Sequence, residues 1–331
     1  MEIKRLWLER DQAAYDQWQS LLEVSDLTAD DQVDYTVGIY QQDRLIATGS
    51  LYQNILKCIA IAARYQNENL LTQIVQQLRE RLAEAGFTHY FLYTKPSVLQ
   101  LFHALGFSEI IMTDELVFME QGGPDFGAYL HELAALKRPT AKNAGIVMNA
   151  NPFTNGHLFL ITEAAKENET VYVFVVSEDR SLFDTATRVQ LVKAGVRHLK
   201  NVVVLPTREY IVSSATFPSY FLKDQAKETV AKVQAKLDAK LFKERIAPAL
   251  GITTRYVGEE PLSPVTNLYN QAMANVFSAA LKLVVVPRKQ QRHEVISASR
   301  VRALMKEQDY EAIRPLVPET TLNEILKQIK K

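Results

Sequence analysis

The sequence predicts an α/β protein in two parts, an N-terminal α+β domain and a C-terminal domain with a five-stranded parallel sheet. From Ala144 onward, five short apolar runs alternate with helical patterns, and the runs read GIVMN, VYVFVV, NVVVL, TTRYVG and LKLVVV. Near-continuously apolar strands that alternate with helices are typical of a parallel sheet covered on both faces. Earlier in the chain, strand-like and helical patterns lack this alternation, which indicates a separate α+β domain.

The elements of the N-terminal part can be predicted in order. Two strand-like runs in YTVGIYQQDRLIATGSLY flank a turn at residues 41–43, and ILKCIAIAAR and HYFLYT predict two further strands. Between those two, apolar residues recur at helical spacing from Leu70 to Leu82, and Gly86 is a signal for the end of the helix. A second, short helix is expected in PSVLQLFHALGF, between Pro96 and Gly106.

A break in the pattern follows in EQGGPDFGAYLHELAALKRPTAKN. Gly122 to Pro124 punctuate one end of this stretch and Pro139 the other, with a short helix between them. The predicted organisation is a first domain at residues 1–122, a linker with a short helix at 123–143, and a second domain at 144–331.

Composition excludes several classes of function. Lys and Arg number 38, as do Asp and Glu, so bulk charge favours neither nucleic acid nor an anionic membrane as a partner. No apolar run reaches the roughly 18 residues of a membrane span, and the first residues lack the apolar segment of a secretory signal. Cys58, the only cysteine, lies in an apolar run and is interpreted as a core residue. Its isolation excludes internal disulfides and predicts a cytoplasmic protein.

The first strand of the second domain leads directly into a helix through the turn NANPFTNGH, residues 149–157. A helix that begins near Thr154 places backbone N–H groups and its positive dipole end at this turn, which suits a phosphate. Gly156 lets the backbone approach a ligand closely, and Thr154 and His157 share one helix face. Taken alone, the turn is explained better by an N-capping threonine and a surface histidine.

A second helix start, in EVISASRVRALM after the last strand, favours the phosphate interpretation. Ser297 and Ser299 can cap the helix that follows, and Arg300 and Arg302 fall in its first turn. Capping serines are common, but positive charge in a first turn opposes the helix dipole. The arginines therefore indicate an anion placed there.

Together the two motifs resemble those of the nucleotidylyltransferase (HxGH) superfamily, whose domain is Rossmann-like. T-x-G-H follows the first strand, with Thr154 where the first histidine is usual, as in pantetheine-phosphate adenylyltransferase. ISASRVR follows the last strand, with Ala298 and Ser299 where Ser and Thr are usual. Over nearly the whole chain, the sequence resembles the citrate lyase ligase family in the segments NANPFTNGHLFLIT, SSATFPSYFLKD, YVGEEPLSPVTNLYN and RKQQRHEVISASRVR, and in an N-terminal domain patterned like the GNAT acetyltransferases.

This resemblance implies an AMP-forming acid–thiol ligase. Enzymes of that family use ATP to acetylate the thiol of the phosphoribosyl-dephospho-coenzyme A arm on the citrate lyase acyl carrier protein. The implied route runs through acetyl-adenylate and releases pyrophosphate and AMP. It implies ATP with Mg²⁺ as cofactors, the metal carried largely by the phosphates with no metal ligand from the chain, and acetate and the carrier protein as partners.

The resemblance also implies roles for individual residues. His157 and Thr154 are expected to contact the α-phosphate and stabilise charge as pyrophosphate leaves. The other residues expected to bind ATP or its phosphates are Asn151, Phe153, Gly156, Arg180, Ser297, Ser299 and Arg302. Those expected near the substrate or acceptor are Ser214, Thr216, Gly258 and Glu259. Arg180 can equally be a solvated loop residue, Arg188 a structural ion-pair partner, and the polar loop residues only loop residues.

The N-terminal domain resembles the GNAT acetyltransferases in its closing LFHALGF. The loop that binds pyrophosphate in that family is rich in glycine, whereas the matching stretch here, RYQNEN at residues 64–69, contains none. Without glycine a close approach of backbone to phosphate is harder. The domain is therefore expected to bind the prosthetic arm of the carrier rather than to transfer acetyl groups, and a purely structural role is the alternative.

Two rival functions remain open at the level of the sequence. One is an adenylyltransferase that forms a dinucleotide such as dephospho-coenzyme A, which would keep the adenylyl group on a phosphate acceptor. The other is a regulator without activity that binds an acyl carrier protein, which the two phosphate motifs disfavour.

Overall fold

The computed structural model describes residues 1–30, 32–66, 68–177, 181–211, 227–259, 264–277, 281–291 and 294–328. The described chain forms two compact units. The first comprises residues 1–129 together with 227–237, and the second comprises the described parts of 130–216 and 238–331. The domain boundary placed at residues 123–143 stays a prediction. In the described part of the chain, no helix is both long and apolar enough to cross a membrane.

The first unit contains a seven-stranded mixed sheet in the order β1-β2-β3-β4-β5-β7-β6. Its strands are β1 (Glu2–Leu6), β2 (Tyr35–Gln41), β3 (Arg44–Tyr52), β4 (Ile55–Ile61), β5 (His89–Thr94), β6 (Ser108–Met112) and β7 (Val117–Gly122). All neighbouring strands are antiparallel except β4 and β5, which pair in parallel only at Ile55–Phe91 and Leu56–Leu92. Cys58, in β4, is fully buried, and burial raises the pKa of its thiol to about 12. The cysteine is thus a core residue, as the sequence indicates.

Three helices accompany this sheet: α1 (Gln12–Val24), α2 (Leu70–Glu84) and α3 (Leu99–Ala104). The apolar face of α2, with Leu70, Ile74 and Leu78, is fully buried against the sheet. Gly49 of β3 permits this close packing, because a Cβ at that position would lie 2.5 Å from Ile74. The helix predicted from the spacing of Leu70 to Leu82 is therefore confirmed. A further helix, α4 (Phe126–Ala135), confirms the short helix expected between residues 123 and 143.

The second unit contains a five-stranded sheet in which every pair is parallel, in the order β10-β9-β8-β11-β12. Its strands are β8 (Asn143–Met148), β9 (Thr170–Val175), β10 (Val202–Pro206), β11 (Ile252–Gly258) and β12 (Lys282–Val286). All five strands predicted from the apolar runs are present. Two residues at Gln290–Gln291 (β13) and two at Glu294–Val295 (β14) form a separate antiparallel pair.

Helices separate these strands, as the parallel arrangement requires. Between these strands the described chain has α5 (Asn155–Glu167), α6 (Thr185–Val196), α7 (Lys227–Leu241), α8 (Ala247–Leu250) and α9 (Pro264–Val276). After β12 come α10 (Ala298–Glu307), α11 (Tyr310–Ile313) and α12 (Glu319–Gln328). A π-helical segment, Phe242–Ile246, joins α7 to α8.

The two faces of the parallel sheet carry alternate residues of each strand. On one face, Ile146 and Val173 pack with Ile161 of α5 in a core from which solvent is excluded. The opposite face is covered at Gly145 by Phe242, and a Cβ on Gly145 would lie 2.7 Å from that ring. Burial on both faces explains why the strands read as near-continuous apolar runs.

The strand order reverses at β8. From β8 the chain proceeds outward to β9 and β10 on one side, and it later returns to add β11 and β12 on the other. Ligands of open parallel sheets bind beyond the carboxyl ends of the strands at such a reversal. The turn that follows β8 lies at this place.

Candidate active site

The turn after β8 ends in the N-terminal cap of α5. Thr154 has extended backbone geometry, and its buried hydroxyl accepts a hydrogen bond of 3.3 Å from the backbone N–H of His157. The side chain of His157 returns this interaction, since its Nδ1 accepts from the backbone N–H of Thr154 at 3.1 Å. The two residues form a reciprocal capping box, in which histidine takes the place usually held by Glu or Gln.

The capping box determines which nitrogen of the neutral His157 imidazole carries the proton. Because an N–H group donates to Nδ1, the proton of the neutral ring must lie on Nε2. Burial, and then the charge of Arg288, lower the pKa of His157 from its ordinary value of 6.5 to about 4. His157 is therefore neutral near pH 7, and Nε2–H is a hydrogen-bond donor at the N-terminus of α5.

Phe153 supports the imidazole from the side of the core. Its ring is fully buried and lies parallel to the ring of His157, with 5.9 Å between the ring centroids and 11° between the planes. On its other side Phe153 meets α6 at Gly195, where a Cβ would come within 2.5 Å of the ring. The ring of Phe153 thus orients His157. Because that ring is buried, only the backbone of Phe153 is available for the nucleotide contact that the sequence predicts.

The second motif forms the N-terminus of α10. Ser297 is the N-cap, and its hydroxyl accepts from the backbone N–H of Arg300 at 3.2 Å. Ser299 does not cap the helix, contrary to the sequence interpretation, because it is already inside the first turn. Its hydroxyl instead accepts from Nη2 of Arg302 at 3.0 Å. Arg300 forms an ion pair with Glu294.

The two motifs meet in space. Nη1 of Arg302 donates to the carbonyl oxygen of Asn151 at 2.6 Å, which joins the first turn of α10 to the turn after β8. Gly156 lies against the residue before the α10 cap, since a Cβ on it would be 3.1 Å from the carbonyl oxygen of Ile296. Two helix N-termini therefore converge on one point, where their backbone N–H groups and dipoles favour an anion.

Arg188 holds the strand ends beneath this point. Its side chain is completely buried in α6. The guanidinium donates to the carbonyl oxygens of Asn149, Val176 and Phe183 at 2.8, 2.7 and 3.0 Å respectively, and also to the side chains of Asn149 and Thr185. Through these hydrogen bonds Arg188 connects the carboxyl ends of β8 and β9. We therefore assign it a structural role, which it fills by forming these hydrogen bonds.

The carboxyl end of β11 carries Gly258 and Glu259. The carbonyl oxygen of Glu259 accepts from Nε of Arg288 at 2.8 Å, and a Cβ on Gly258 would lie 4.0 Å from the same nitrogen. Arg288, two residues beyond β12, is close enough to His157 to lower its pKa. The sequence interpretation did not single out Arg288, although its position just past the last strand is a signal that could have found it.

The structure brings together Asn151, Phe153, Thr154, Gly156, His157, Ser297, Ser299 and Arg302. Gly258 and Glu259 lie beside Arg288, whose charge contributes to the lowered pKa of His157. The side chain of Asn151 accepts from the backbone N–H of Phe183 at 3.3 Å, which fixes the loop after β9 to the turn. Three predicted residues, Arg180, Ser214 and Thr216, lie outside the described residues. All the ligand roles named above stay predictions.

Comparison with known proteins identifies a family whose members are similar to this chain. Residues 143–325 match the family model for the citrate lyase ligase C-terminal domain. The chain is similar to the citrate (pro-3S)-lyase ligase of Klebsiella pneumoniae, with 36% identity over 97% of this chain and 95% of that protein. It is also similar to the enzyme of the same name from Escherichia coli strain K12, with 38% identity over 91% of this chain and 87% of that protein.

Among solved structures, the chain is similar to Thermotoga maritima TmcAL bound with alpha-thio ATP. The TM-score is 0.35, the sequence identity is 16%, and the similarity covers 57% of this chain and 56% of the TmcAL chain.

Proposed function

The chain belongs to the citrate lyase ligase family, and on that premise we propose that it is an AMP-forming acid–thiol ligase that activates citrate lyase. It uses ATP to acetylate the thiol of the phosphoribosyl-dephospho-coenzyme A arm on the citrate lyase acyl carrier protein. The observation that carries this proposal is the convergence of the N-termini of α5 and α10 at the carboxyl end of β8, where Arg302 hydrogen-bonds to Asn151.

The first step is the attack of acetate on ATP. A carboxylate oxygen of acetate forms a bond to the α-phosphorus, the bond from that phosphorus to the bridging oxygen breaks, and pyrophosphate leaves. The products are acetyl-adenylate and pyrophosphate. This step needs no nucleophile from the protein, because the chain contributes positioning and electrostatic stabilisation instead.

His157 stabilises the charge that develops in this step. Its Nε2–H donates to an oxygen of the α-phosphate, while Nδ1 stays fixed on the backbone N–H of Thr154. A donor already oriented before the reaction costs no reorganisation when charge builds up. Thr154 is buried, and its hydroxyl oxygen lies 3.0 Å from Nδ1 of His157. We therefore propose that the main role of Thr154 is to position the imidazole of His157.

Arg302 and Ser299 hold the β- and γ-phosphates. Their side chains are already joined by a hydrogen bond of 3.0 Å, so the guanidinium is oriented before the nucleotide arrives. Arginine presents a planar array of N–H donors that matches phosphate oxygens. The backbone N–H groups of the first turns of α5 and α10 add further donors.

In this proposal, Mg²⁺ is bound by the triphosphate of ATP. Within the part of the chain that the structure describes, no group of three or more His, Cys, Asp or Glu side chains could hold a metal ion. Mg²⁺ is commonly bound by substrate phosphates and water with few protein ligands, so this composition is compatible with a metal carried by ATP. Its contribution there would be to neutralise charge on the leaving pyrophosphate.

The second step transfers the acetyl group to the carrier. The thiolate of the prosthetic arm attacks the carbonyl carbon of acetyl-adenylate, the bond from that carbon to the phosphate oxygen breaks, and AMP leaves. The thiol proton passes to solvent. We propose that the N-terminal domain binds the prosthetic arm during this step and does no chemistry of its own.

ATP–pyrophosphate exchange across a series of small carboxylates tests the proposed function. The proposal expects exchange that depends on acetate, with AMP released only when the thiol acceptor is also present. Exchange without any carboxylate, but dependent on a phosphate acceptor such as 4′-phosphopantetheine, would support the adenylyltransferase instead. A protein that neither exchanges nor hydrolyses ATP would support the binding-only regulator.

A further inference from the structure

The edge strand β1 of the first unit carries an exposed patch. In the sheet order β1 comes first, and among the described strands it pairs only with β2. Ile3 and Arg5 lie opposite Ile39 and Val37, so they share the face of the sheet against which α2 packs. Val37 and Ile39 are buried, whereas Ile3 is 39% exposed. The apolar face of the sheet therefore continues to its edge, where the described chain leaves it exposed.

Two arginines contact one tryptophan at this edge. Trp7 directly follows β1 and is 47% exposed. The guanidinium of Arg5 lies 3.5 Å from the centroid of the larger ring system of Trp7, and that of Arg10 lies 5.2 Å from it. Arg5 also lies 5.2 Å from the ring centroid of Tyr35, on β2. We call Ile3, Arg5, Trp7, Arg10 and Tyr35 the β1 patch.

The described chain does not neutralise the two arginines of the β1 patch. Both side chains are exposed, and neither forms an ion pair or a hydrogen bond with a described residue. Asp11 instead caps α1, where its carboxylate accepts from the backbone N–H of Ala14 at 3.0 Å. A guanidinium that stacks on an aromatic ring keeps its N–H groups at the edge of the stack, where they can donate to an anion. The β1 patch therefore offers positive charge and N–H donors beside an apolar surface.

The composition and the exposure of the β1 patch favour a protein as its partner. Small ligands bind in concave sites, whereas Ile3, Arg5, Trp7 and Arg10 lie exposed at the edge of a sheet. Trp, Tyr and Arg are the residues that most often dominate the energy of protein–protein binding. Over the whole chain Lys and Arg number 38, as do Asp and Glu, which disfavours a nucleic acid or an anionic membrane.

We propose that the β1 patch binds an acidic protein surface, on which carboxylates pair with Arg5 and Arg10 and an apolar side chain packs on Trp7. The identity of the partner rests on the proposed function, under which it is the carrier protein that bears the prosthetic arm. The β1 patch binds the folded carrier, and not its arm. Complementary charge on the two surfaces raises the rate of encounter and orients the carrier as it docks.

Binding of carrier protein to the full-length chain tests this inference, and the two probes are carrier that bears the arm and carrier that lacks it. The variants are Trp7→Ala and the double charge reversal of Arg5→Glu with Arg10→Glu, all at exposed positions. We expect each variant to weaken binding of both carrier forms about ten- to hundredfold. Arg197→Glu, the same charge reversal at an exposed residue after α6, is the control and should leave both affinities unchanged.

Three further measurements separate docking from a merely structural role. The apparent KM for carrier protein should rise in both variants, whereas ATP–pyrophosphate exchange and the acetylation of free dephospho-coenzyme A should stay unchanged. The affinity of the wild type for carrier should also fall as the salt concentration rises. This salt dependence should be weaker in the double variant, which lacks the two guanidinium groups.

Four results would overturn the inference. Carrier affinity within about twofold of the wild type in both variants would show that the carrier does not contact the β1 patch. An equal loss of ATP–pyrophosphate exchange would show that these residues support the fold. Unchanged carrier binding with an altered oligomeric state, measured by analytical ultracentrifugation, would assign the patch to a second copy of the chain. Unchanged carrier binding with a loss of binding to phosphatidylserine vesicles would assign it to a membrane surface.

The inference and the proposed function fail in different ways. Wild-type protein that binds carrier through the β1 patch but shows no acetate-dependent exchange would contradict the proposed reaction and leave the docking surface standing. Wild-type protein that acetylates carrier normally, while both variants bind carrier normally, would contradict only the role of the β1 patch. Wild-type protein that binds neither form of the carrier would contradict both the docking surface and the proposed partner.

Discussion

Arg302 donates a hydrogen bond of 2.6 Å to the carbonyl oxygen of Asn151, a residue 151 positions earlier in the chain. This bond joins the two predicted phosphate-binding motifs, which the sequence shows only as separate helix starts. It also orients the guanidinium at the mouth of the turn before any ligand binds. Preorganisation of this kind is what electrostatic catalysis requires, because the donors are in place when charge develops.

Replacement of His157 should reduce catalysis while leaving the fold intact. We expect His157→Ala to lower the ATP–pyrophosphate exchange rate on the order of a hundredfold, because loss of one charge-stabilising donor costs about 3 kcal/mol. His157→Gln, which restores an N–H donor, should recover part of the rate. His198→Ala is the matched control, since that histidine is exposed beyond the end of α6. If His157→Ala keeps more than about half of the wild-type rate, the imidazole is not an α-phosphate donor.

Protonation of His157 should lower the free energy of unfolding of the protein at acid pH. The folded state holds the pKa of His157 at about 4, below the 6.5 of the unfolded chain, so the unfolded chain takes up the proton first as the pH falls. The free energy of unfolding should therefore decrease between about pH 6.5 and pH 4, by up to roughly 3 kcal/mol from this residue.

Urea denaturation of the wild type and of His157→Gln across this pH range measures that contribution, since the variant should lack it. Arg288 is the charged group that contributes to the shift, so Arg288→Met should move the pKa of His157 back toward 6.5. An NMR titration of the imidazole reports this pKa directly. A pKa near 6.5 in the wild-type protein would contradict a ring that the folded chain keeps neutral.

Arg302 should matter more for nucleotide binding than for folding. We expect Arg302→Met to raise the apparent KM for ATP and to reduce the increase in Tm that ATP produces, because the phosphate chain loses a charged partner. The nucleotide-free protein should lose only about 1 kcal/mol, the typical cost of the bond to Asn151. Arg314→Met, an exposed arginine that pairs only with Glu311 among the described ion pairs, serves as the control. A large loss of stability with an unchanged KM would instead indicate a structural bond.

The sequence predicts the parallel sheet well because its signal is local. Each strand of that sheet is buried on both faces, so near-continuous apolar runs mark all five of them, and Thr154 and Ser297 mark the helix starts by capping chemistry. Strands β1, β6 and β7 of the first unit were not predicted. In β1 only Leu6 is buried, and in β6 only Ile110 and Ile111 are, so no near-continuous apolar run marks these two strands. In β7 the apolar run is short and includes Glu120.

The candidate site was predictable in its motifs but not in its contacts. The spacing of Thr154 and His157 indicates a shared face, yet it does not show that Nδ1 is occupied by a backbone N–H and that Nε2 carries the proton. Likewise, Ser299 looks like a cap in the sequence, whereas its hydroxyl bonds to Arg302. Arg288 was missed because its hydrogen bond to the carbonyl oxygen of Glu259 joins the chain just after β12 to the chain just after β11, and the sequence does not show this contact.

If the N-terminal domain binds the prosthetic arm of the carrier, a compound that resembles the arm should inhibit carrier acetylation without inhibiting ATP–pyrophosphate exchange. Dephospho-coenzyme A resembles the prosthetic arm of the carrier, so it should compete with carrier protein in the acetylation assay. It should not reduce ATP–pyrophosphate exchange with acetate, because exchange does not need the arm. Both assays use the intact chain, since residues 227–237 belong to the same compact unit as the N-terminal residues. Inhibition of both assays alike would place the compound at the nucleotide site, and acetyl transfer from acetyl-CoA to the carrier would contradict a domain that does no chemistry.

The central claim is that acetate attacks the α-phosphorus of ATP at the point where the turn after β8 meets α10. Acetate labelled with ¹⁸O in its carboxylate tests this most directly. The oxygen that attacks phosphorus stays on the phosphate when the thiol takes the acetyl group. Mass spectrometry should therefore find one ¹⁸O atom in each AMP released during carrier acetylation. AMP without the label, or the label in inorganic phosphate accompanied by ADP, would contradict the account.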